Sequence, residues 1–288
     1  MEKLTMLDYV KETPGVLRTN IEQYTALVEP LMKEVQQKEI KRILLVASGS
    51  SHNACYCARS FVEKVSGLEV RIITPYTFTY YENDIKETDL VLVVTQSGLS
   101  TNAIEALKII KKKECKAICL TGNKNSDVKD VADVVIEYGV GEELVGYVTK
   151  GVSSLALFLD LFAIAYSGKS EYLEELKKAV YLNEEMIGKA TSFIQLHYKE
   201  FSSMSWVYSC GAGANYGTAL ESALKMGETI HIPSCCYEIE EYIHGPNLQL
   251  TPQYNVIFFD GKDVGSNRVE QVYNATRKVT ERAYLISN

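Results

Sequence analysis

A strand, a polar turn and a helix follow one another between residues 89 and 110, and this succession constrains the fold most. The apolar run Asp89–Val94 has the length and composition of a buried parallel strand. The apolar spacing over Asn102–Ile110 predicts an amphipathic helix. Between them stands the polar turn Thr95-Gln96-Ser97-Gly98-Leu99-Ser100-Thr101, with four hydroxyl residues, an amide and a glycine.

This turn has the composition of an anion site. The first N–H groups of a helix are free, and the helix dipole makes that end positive. Hydroxyl groups add donors without adding charge, and a glycine lets the backbone approach a ligand closely. A single Ser or Thr would suffice as a helix cap, so four hydroxyl residues favour a bound phosphate. The residues that we predict to bind it are Thr95, Gln96, Ser97 and Ser100.

The same succession occurs twice more along the chain. A strand at Ile43–Ala47 leads through a Gly-Ser turn, which adds Ser50 and Ser51 as candidate phosphate ligands, into a helix predicted over Ala54–Val65. A strand at Trp206–Ser209 leads through a glycine-rich turn into another helix. One Gly-Ser turn alone is weak evidence for a binding site, but three strand–turn–helix units of one kind are much stronger evidence.

Strands and helices alternate over most of the 288 residues, a length that favours two domains. We predict two tandem α/β domains, each a parallel sheet between helix layers as in flavodoxin-like folds, over residues 1–198 and 199–288. Residues 1–37 are predicted to be helical with a break at Pro14-Gly15. The second domain is expected to lack a closing strand and helix, through truncation or natural shortening. The predicted strands fall near residues 43–47, 69–73, 90–94, 117–120, 134–137, 206–209, 231–235, 255–259 and 283–286.

Charge and cysteine content indicate which kinds of partner to exclude and which cellular compartment to expect. The net charge of −7 argues against nucleic acid, which requires a basic surface. The 7 cysteines show no zinc or Cys-x-x-Cys spacing, and the N-terminus shows no signal peptide, which favours free thiols in the cytoplasm. The longest apolar run, over Leu155–Tyr166, contains Asp160 and is too short to span a membrane. We expect no membrane partner, no metal and no cofactor.

Several motifs in order resemble the sugar isomerase (SIS) family of tandem phosphosugar-binding domains. The family pattern Ser-Gln-Ser-Gly-Glu-Thr corresponds here to Thr95-Gln96-Ser97-Gly98-Leu99-Ser100, and Cys-Gly-Thr-Ser-Tyr-Asn corresponds to Ser48-Gly49-Ser50-Ser51-His52-Asn53. The family's Ser-Thr-Lys step appears as Val148-Thr149-Lys150, after an acidic residue matched by Glu143. Ala-Leu-Glu-x-Ala-Leu-Lys appears at 219–225, and the family's Gly-Glu-Leu-Lys-His-Gly-Pro corresponds to Glu240-Glu241-Tyr242-Ile243-His244-Gly245-Pro246. The resemblance runs from Met6 nearly to the end of the chain and includes the isomerase half of glucosamine-6-phosphate synthase.

The resemblance implies catalytic roles for Glu228 and His244. Glu228 would move a proton between the sugar carbons C1 and C2, and His244 would assist ring opening, both by general acid–base catalysis. An imidazole exchanges protons near neutral pH, which suits that second role. In glucosamine-6-phosphate synthase the histidine comes from the neighbouring subunit, so the resemblance implies a homodimer or a higher oligomer.

Three further residues are weaker candidates for substrate binding. Lys225 and Glu241 would either orient the substrate or form ordinary ion pairs. Lys150 begins a predicted helix, where a cation is disfavoured by the dipole, and this hints at an anionic partner. The sequence also departs from the family, because Leu99 replaces the acidic residue of the phosphate turn. It contains neither a glutaminase domain nor the family's C-terminal tail.

The resemblance implies an enzyme that acts on amino-sugar or fructosamine 6-phosphates. Without a glutaminase domain, removal of an amine by a deglycase or deaminase is favoured over its addition. A simple ketose–aldose phosphate isomerase and a non-catalytic sugar-phosphate sensor remain alternatives. The presence of both Glu228 and His244 argues against a sensor, whereas the absence of the tail argues for one.

Overall fold

The computed structural model describes residues 4–287, and the chain forms two compact units, the first ending at Ile187 and the second beginning at Gly188. This division falls inside a long helix, α7 (Tyr172–Leu196), whereas the sequence-based boundary follows that helix. Each unit contains one sheet, and every strand pair in both sheets is parallel.

Unit 1 contains a five-stranded sheet in the order β2-β1-β3-β4-β5. Its strands are β1 (Arg42–Ala47), β2 (Glu69–Ile73), β3 (Asp89–Thr95), β4 (Ile118–Thr121) and β5 (Val134–Glu137). All seven residues of the central strand β3 are buried, as the continuous apolar run predicts for a strand covered on both faces.

Helices cover both faces of this sheet. They are α1 (Met6–Glu22), α2 (Tyr24–Val35), α3 (Gly49–Ser66), α4 (Pro75–Tyr80), α5 (Thr101–Lys112) and α6 (Lys150–Ser167). Alternate residues of β1 point into two separate cores. Ile43 and Leu45 pack with α1, α2, α3 and α6, whereas Leu44 and Val46 pack with α4 and α5. Unit 1 is therefore a three-layer α/β domain.

Helix α6 is the central helix of one layer. By length and composition it alone among the described residues could cross a membrane, but 61% of its 18-residue window is buried inside the protein. It packs on α3, α1 and α2. The apolar character of α6 therefore follows from its place in the core.

Two helices differ from the sequence-based prediction. Helix α1 continues through Pro14, where a break was expected, and the chain breaks instead at Gln23. A proline removes the N–H donor to the carbonyl four residues before it. In the preceding position, the Thr13 hydroxyl donates to the Tyr9 carbonyl at 2.8 Å, and Thr13 and Pro14 are both buried. Helix α3 begins at Gly49, so Ser50 and Ser51 belong to its first turn.

Unit 2 contains a four-stranded sheet in the order β7-β6-β8-β9. Its strands are β6 (Val207–Gly211), β7 (Ser234–Glu238), β8 (Asn255–Asp260) and β9 (Ala283–Ser287). Its helices after α7 are α8 (Tyr198–Phe201), α9 (Ala214–Thr229), α10 (Ile239–Ile243) and α11 (Ser266–Thr276). The strand order repeats the order β2-β1-β3-β4 of unit 1.

Strand β7 begins three residues later than predicted from sequence. His231 has a positive φ of 57°, which a strand residue cannot adopt, and Pro233 lacks an N–H donor for a ladder. The edge strand therefore begins at Ser234, directly after this proline.

Candidate functional site

The polar turn after β3 lies at the carboxyl edge of the unit 1 sheet. Ser100 is the N-cap of α5, and its side chain makes no capping hydrogen bond. Ser97 and Thr101 are exposed, and the Ser97 hydroxyl accepts the Leu99 N–H at 3.2 Å. The positive end of α5 is thus bordered by solvent-accessible hydroxyl groups, as an anion site requires.

The turn after β1 emerges beside the turn after β3. Ala47 pairs with Val94 in the ladder, so the turns that begin at Ser48 and Gln96 follow adjacent strands. Adjacent strands lie about 4.8 Å apart, so side chains from the two turns can reach one ligand. The side chains of Ser50 and Ser51 sit in the first turn of α3 and are mostly buried, with 6% and 8% of their surface exposed.

The first turn of α3 also carries a histidine. Burial lowers the pKa of His52, and a contact between its Nδ1 and the Asn53 Oδ1 atom at 3.4 Å offsets this in part. The ring stands edge-on to Tyr56, with the ring centroids 5.0 Å apart. With a pKa below its ordinary value of 6.5, this imidazole is mainly neutral at pH 7. The groups that these turns offer to a ligand are therefore neutral hydrogen-bond donors and the N-terminal ends of helices.

The side chain of Gln96 is held by groups of the protein itself. Its Oε1 atom accepts from the Tyr138 hydroxyl at 3.2 Å, and its Nε2 atom donates to Glu143 Oε1 at 3.2 Å. Its carbonyl accepts the Gly122 N–H at 3.0 Å. Both ends of the Gln96 side-chain amide are thus hydrogen-bonded to other groups of the protein.

Lys150 has an anionic partner inside unit 1. Its side chain is only 2% exposed, its Nζ atom lies 3.1 Å from Glu12 Oε2, and it stands 5.1 Å from the centre of the Tyr9 ring. At the same helix start, the carboxylate of Glu143 accepts the N–H groups of Thr149 and Lys150. The anion that the sequence led us to expect near Lys150 is therefore provided by the protein.

Unit 2 brings Glu228 together with Lys225 on helix α9. The Lys225 ammonium donates to Glu228 Oε2 at 2.6 Å and lies 3.2 Å from Glu221 Oε1. Glu228 also lines a groove of about 610 Å³ between α9 and the start of β7, with Leu224 and Cys236 among the other lining residues. The glutamate therefore has both a fixed cationic neighbour and access to an open groove.

His244 lies at the end of the short helix α10. Its backbone N–H donates to the carbonyls of Glu240 and Glu241, each at 3.2 Å, and the residue is exposed. Glu241 is also exposed, and its backbone N–H donates to the Glu238 carboxylate at 3.3 Å. His244 and Glu241 are thus available to a ligand or partner from solvent.

Sequence reasoning assigned no role to Glu12, Tyr138 or Glu143. The sequence analysis mentioned Glu143 only as the counterpart of an acidic residue in the family pattern. Its position seven residues before Lys150 is the one sequence feature that indicates its contact with the start of α6. Nothing in the sequence around Glu12 or Tyr138 marks a partner, because both contacts join residues far apart in the chain. No group of His, Cys, Asp and Glu that could hold a metal ion occurs within residues 4–287.

The three-layer topology and the paired turns define unit 1 as an α/β domain with hydroxyl-rich turns at its carboxyl edge. Residues 38–165 match the model of the SIS domain family. This match lies within unit 1 and covers less than half of the chain.

The chain is 25% identical, over 255 residues, to a glutamine–fructose-6-phosphate aminotransferase (isomerizing) of Clostridium tetani; the match covers 84% of this chain. It covers 42% of that relative, so the chain spans less than half of the length of the curated protein.

Solved structures extend the likeness to both units. A Clostridium difficile protein, provisionally described as a phosphosugar isomerase, is 26% identical with a TM-score of 0.86, covering 98% of this chain and 82% of its own. A glucosamine-6-phosphate deaminase of Thermotoga maritima is 19% identical with a TM-score of 0.77, covering 98% of this chain and 84% of its own. The second likeness is one of fold alone.

Proposed function

We propose that the chain is an enzyme of amino-sugar or fructosamine 6-phosphates that removes the amine as a deglycase or deaminase. The observation that carries this is the pair of hydroxyl-rich turns at adjacent strand ends of a SIS domain, beside the open start of α5. The site suits a phosphate because it offers neutral donors and a helix dipole. The residues that would bind the phosphate are Ser50, Ser51, Thr95, Ser97 and Ser100, with Gln96 supporting the turn.

Unit 2 would provide the acid–base groups and, by its strand order, would be a second SIS domain. A carboxylate such as Glu228 can take a proton from one sugar carbon and return it to the next through an enediol or enolamine. Its contact with Lys225 fixes the position of the carboxylate. His244, exposed before Gly245, would transfer the proton that opens the sugar ring.

The proposal includes a cytoplasmic homodimer in which His244 serves the neighbouring subunit's site. No membrane or nucleic-acid partner is part of it, which agrees with the net charge of −7. Two-fold dimers are the commonest assemblies of soluble proteins. Lys150 has no substrate-binding role in this proposal, because its buried side chain is already paired with Glu12. Glu241, which is exposed, stays a candidate for orienting the substrate.

The test is an assay of the protein against a panel of sugar phosphates. Ammonia, free amino acid and ketose–aldose exchange are measured in parallel. Release of an amine supports the proposal, exchange without release indicates a simple isomerase, and binding without any turnover indicates a sensor.

The role of Glu228 is tested by Glu228→Gln, which keeps the shape of the side chain and removes the base. We expect binding to persist while exchange of the C1 or C2 proton with deuterated water is abolished. Glu185→Gln, on α7, is the control for loss of one charge on a helix and should exchange normally. Wild-type exchange in Glu228→Gln would show that another group is the base.

A further inference from the structure

The carboxylate of Glu143 joins two elements that are separate in sequence. Glu143 lies in the loop between β5 and α6, and its Oε1 atom accepts the Thr149 N–H at 2.6 Å. Its Oε2 atom accepts the Lys150 N–H at 2.7 Å. Thr149 is the N-cap of α6 and makes no side-chain capping bond, so the carboxylate takes the place of a cap at the positive end of this helix.

The third donor to Glu143 is the amide of Gln96. A carboxylate only accepts hydrogen bonds, so the Nε2 end of Gln96 must face Glu143. The other end, Oε1, accepts from the hydroxyl of Tyr138. Burial, with a smaller effect of the Glu143 charge, raises the pKa of Tyr138, so its hydroxyl stays protonated and donates. The orientation of the Gln96 amide is therefore determined at both ends.

Close packing keeps this amide against the first turn of α6. A Cβ atom placed on Gly151 would lie 1.6 Å from Gln96 Oε1, so only a glycine leaves room for the Gln96 side chain there. Gln96 itself directly follows the last residue of β3 and precedes the exposed Ser97. The contact between Glu143 and Gln96 thus fixes one end of the polar turn relative to α6.

We propose that Glu143 is a positioning residue, which acts through Gln96 to hold the polar turn after β3 in its phosphate-binding geometry. This rests on the proposed function of that turn. The charge of Glu143 is required because both carboxylate oxygens accept backbone N–H groups. A glutamine at 143 would turn an NH2 group toward one of these donors, and Gln96 would lose its fixed partner.

The experiment compares Glu143→Gln with Glu142→Gln, its exposed neighbour, which loses the same charge. Binding is measured by calorimetry with inorganic phosphate and with the sugar phosphates of the panel. We expect Glu143→Gln to weaken phosphate binding by about tenfold or more, the usual effect of losing hydrogen bonds to a charged group. Glu142→Gln should change the affinity by less than about twofold, as expected of an exposed charge.

A double-mutant cycle with Gln96→Ala separates positioning from a general structural effect. If Glu143 acts through Gln96, Glu143→Gln should have little further effect on phosphate affinity in the Gln96→Ala background. Tyr138→Phe leaves the α6 cap intact and frees the other end of the amide, and it should weaken binding in the same direction. Unchanged affinity in Glu143→Gln, or additive losses in the cycle, would overturn the proposal.

The result also separates this inference from the proposed function. If the wild-type protein binds neither phosphate nor any sugar phosphate, the proposed function is wrong. The link between Glu143 and Gln96 is then tested by the same cycle measured by urea unfolding. Additive unfolding free energies there would overturn the link, and non-additive ones would support it.

Discussion

At the scale of single residues, Gly98 shows why the polar turn has its sequence. Its φ is 67°, a conformation that other residues adopt at a cost. An added Cβ would lie 1.7 Å from the Ser126 hydroxyl oxygen, and the Gly98 carbonyl accepts the Val128 N–H at 3.3 Å. The glycine therefore serves both the backbone angle of the turn and its close packing on the next loop.

We expect Gly98→Ala to destabilise the protein by more than the backbone term of about 1–2 kcal/mol, because the methyl group also displaces Ser126. Gly168→Ala is the matched control, since Gly168 has a φ of 71° and nothing within 4 Å of an added Cβ. Urea unfolding of both variants isolates the clash. Equal losses would show that Ser126 yields without cost.

Other residue roles depend on partners that are remote in sequence. Lys150 and Gln96 were both predicted as ligand-binding residues from their neighbours in the chain. The structure pairs Lys150 with Glu12 and Gln96 with Tyr138 and Glu143, which lie on other elements. Local sequence identifies a side chain that can bind an anion, but it does not reveal whether the protein already provides that anion.

At the scale of elements, a buried ion pair joins strands β1 and β3. Arg42 donates to both carboxylate oxygens of Asp89, at 2.9 and 2.7 Å, and the Asp89 side chain is 1% exposed. Burial alone would raise the pKa of Asp89, but the hydrogen bonds from Arg42 and from the Lys86 N–H hold it below its ordinary value. The buried carboxylate of Asp89 thus has both a cationic partner and hydrogen bonds, as a buried charge requires.

Removing the partner should therefore be costly. We expect Arg42→Met to lower the free energy of unfolding at pH 7 by about 3–5 kcal/mol, because it leaves a buried carboxylate unpaired. Arg59→Met is the control, because Arg59 and Glu63 form an exposed helix pair at 3.4 Å worth about 0.5 kcal/mol or less. Similar losses in the two variants would contradict a special role for the buried pair.

The same pair predicts a pH dependence with a definite sign. Asp89 has a lowered pKa in the folded state, so its stabilisation is full above about pH 4 and is lost as pH falls through the folded value. In Arg42→Met the carboxyl can take up a proton at low pH without losing a partner. The difference in unfolding free energy between wild type and variant should therefore shrink between pH 5 and about pH 3, as measured by urea unfolding.

Element boundaries show where local signals mislead. Pro14 predicted a break in α1, but the helix is continuous because its buried face packs in the unit 1 core and outweighs the lost hydrogen bond. Helix α3 begins five residues before the predicted start at Ala54, since its small polar residues can form the first helical turn. Local composition located both helices and misplaced their details.

At the scale of the whole molecule, the proposal assigns phosphate binding to unit 1 and acid–base catalysis to unit 2. In a dimer, each catalytic site would use residues of both subunits. Glu228→Gln keeps an intact His244, and His244→Ala keeps an intact Glu228. If His244 serves the neighbouring subunit, a mixed dimer of these two inactive variants has one site with both changes and one site with neither.

Mixing the two variants under conditions that exchange subunits should restore up to about a quarter of wild-type activity per protein, because about half of the dimers are mixed and each has one intact site. Subunit exchange is confirmed independently with labelled protein. No recovery would mean that the two residues serve the same subunit's site, or that one of them is not catalytic.

The sequence by itself determined the class of the fold, the parallel strands and the polar turns at their ends. These features follow from short-range patterns: apolar runs such as that of β3, helical periodicity such as that of α5, and hydroxyl residues between them. The sequence also assigned residues of the turns after β1 and β3 to one site at the carboxyl edge of the sheet, and the structure places these two strands side by side.

Only the tertiary structure decided which side chains near that edge are bound by other groups of the protein and which are accessible to a ligand. The contacts of Glu12 with Lys150 and of Glu143 with Gln96 depend on how α1 and the loop before α6 pack on the sheet. Such contacts join residues tens of positions or more apart, and their geometry is set by the packing of whole elements. No local sequence pattern predicts that packing. Only the three-dimensional structure therefore distinguishes the accessible hydroxyl turn from Lys150, which pairs with Glu12.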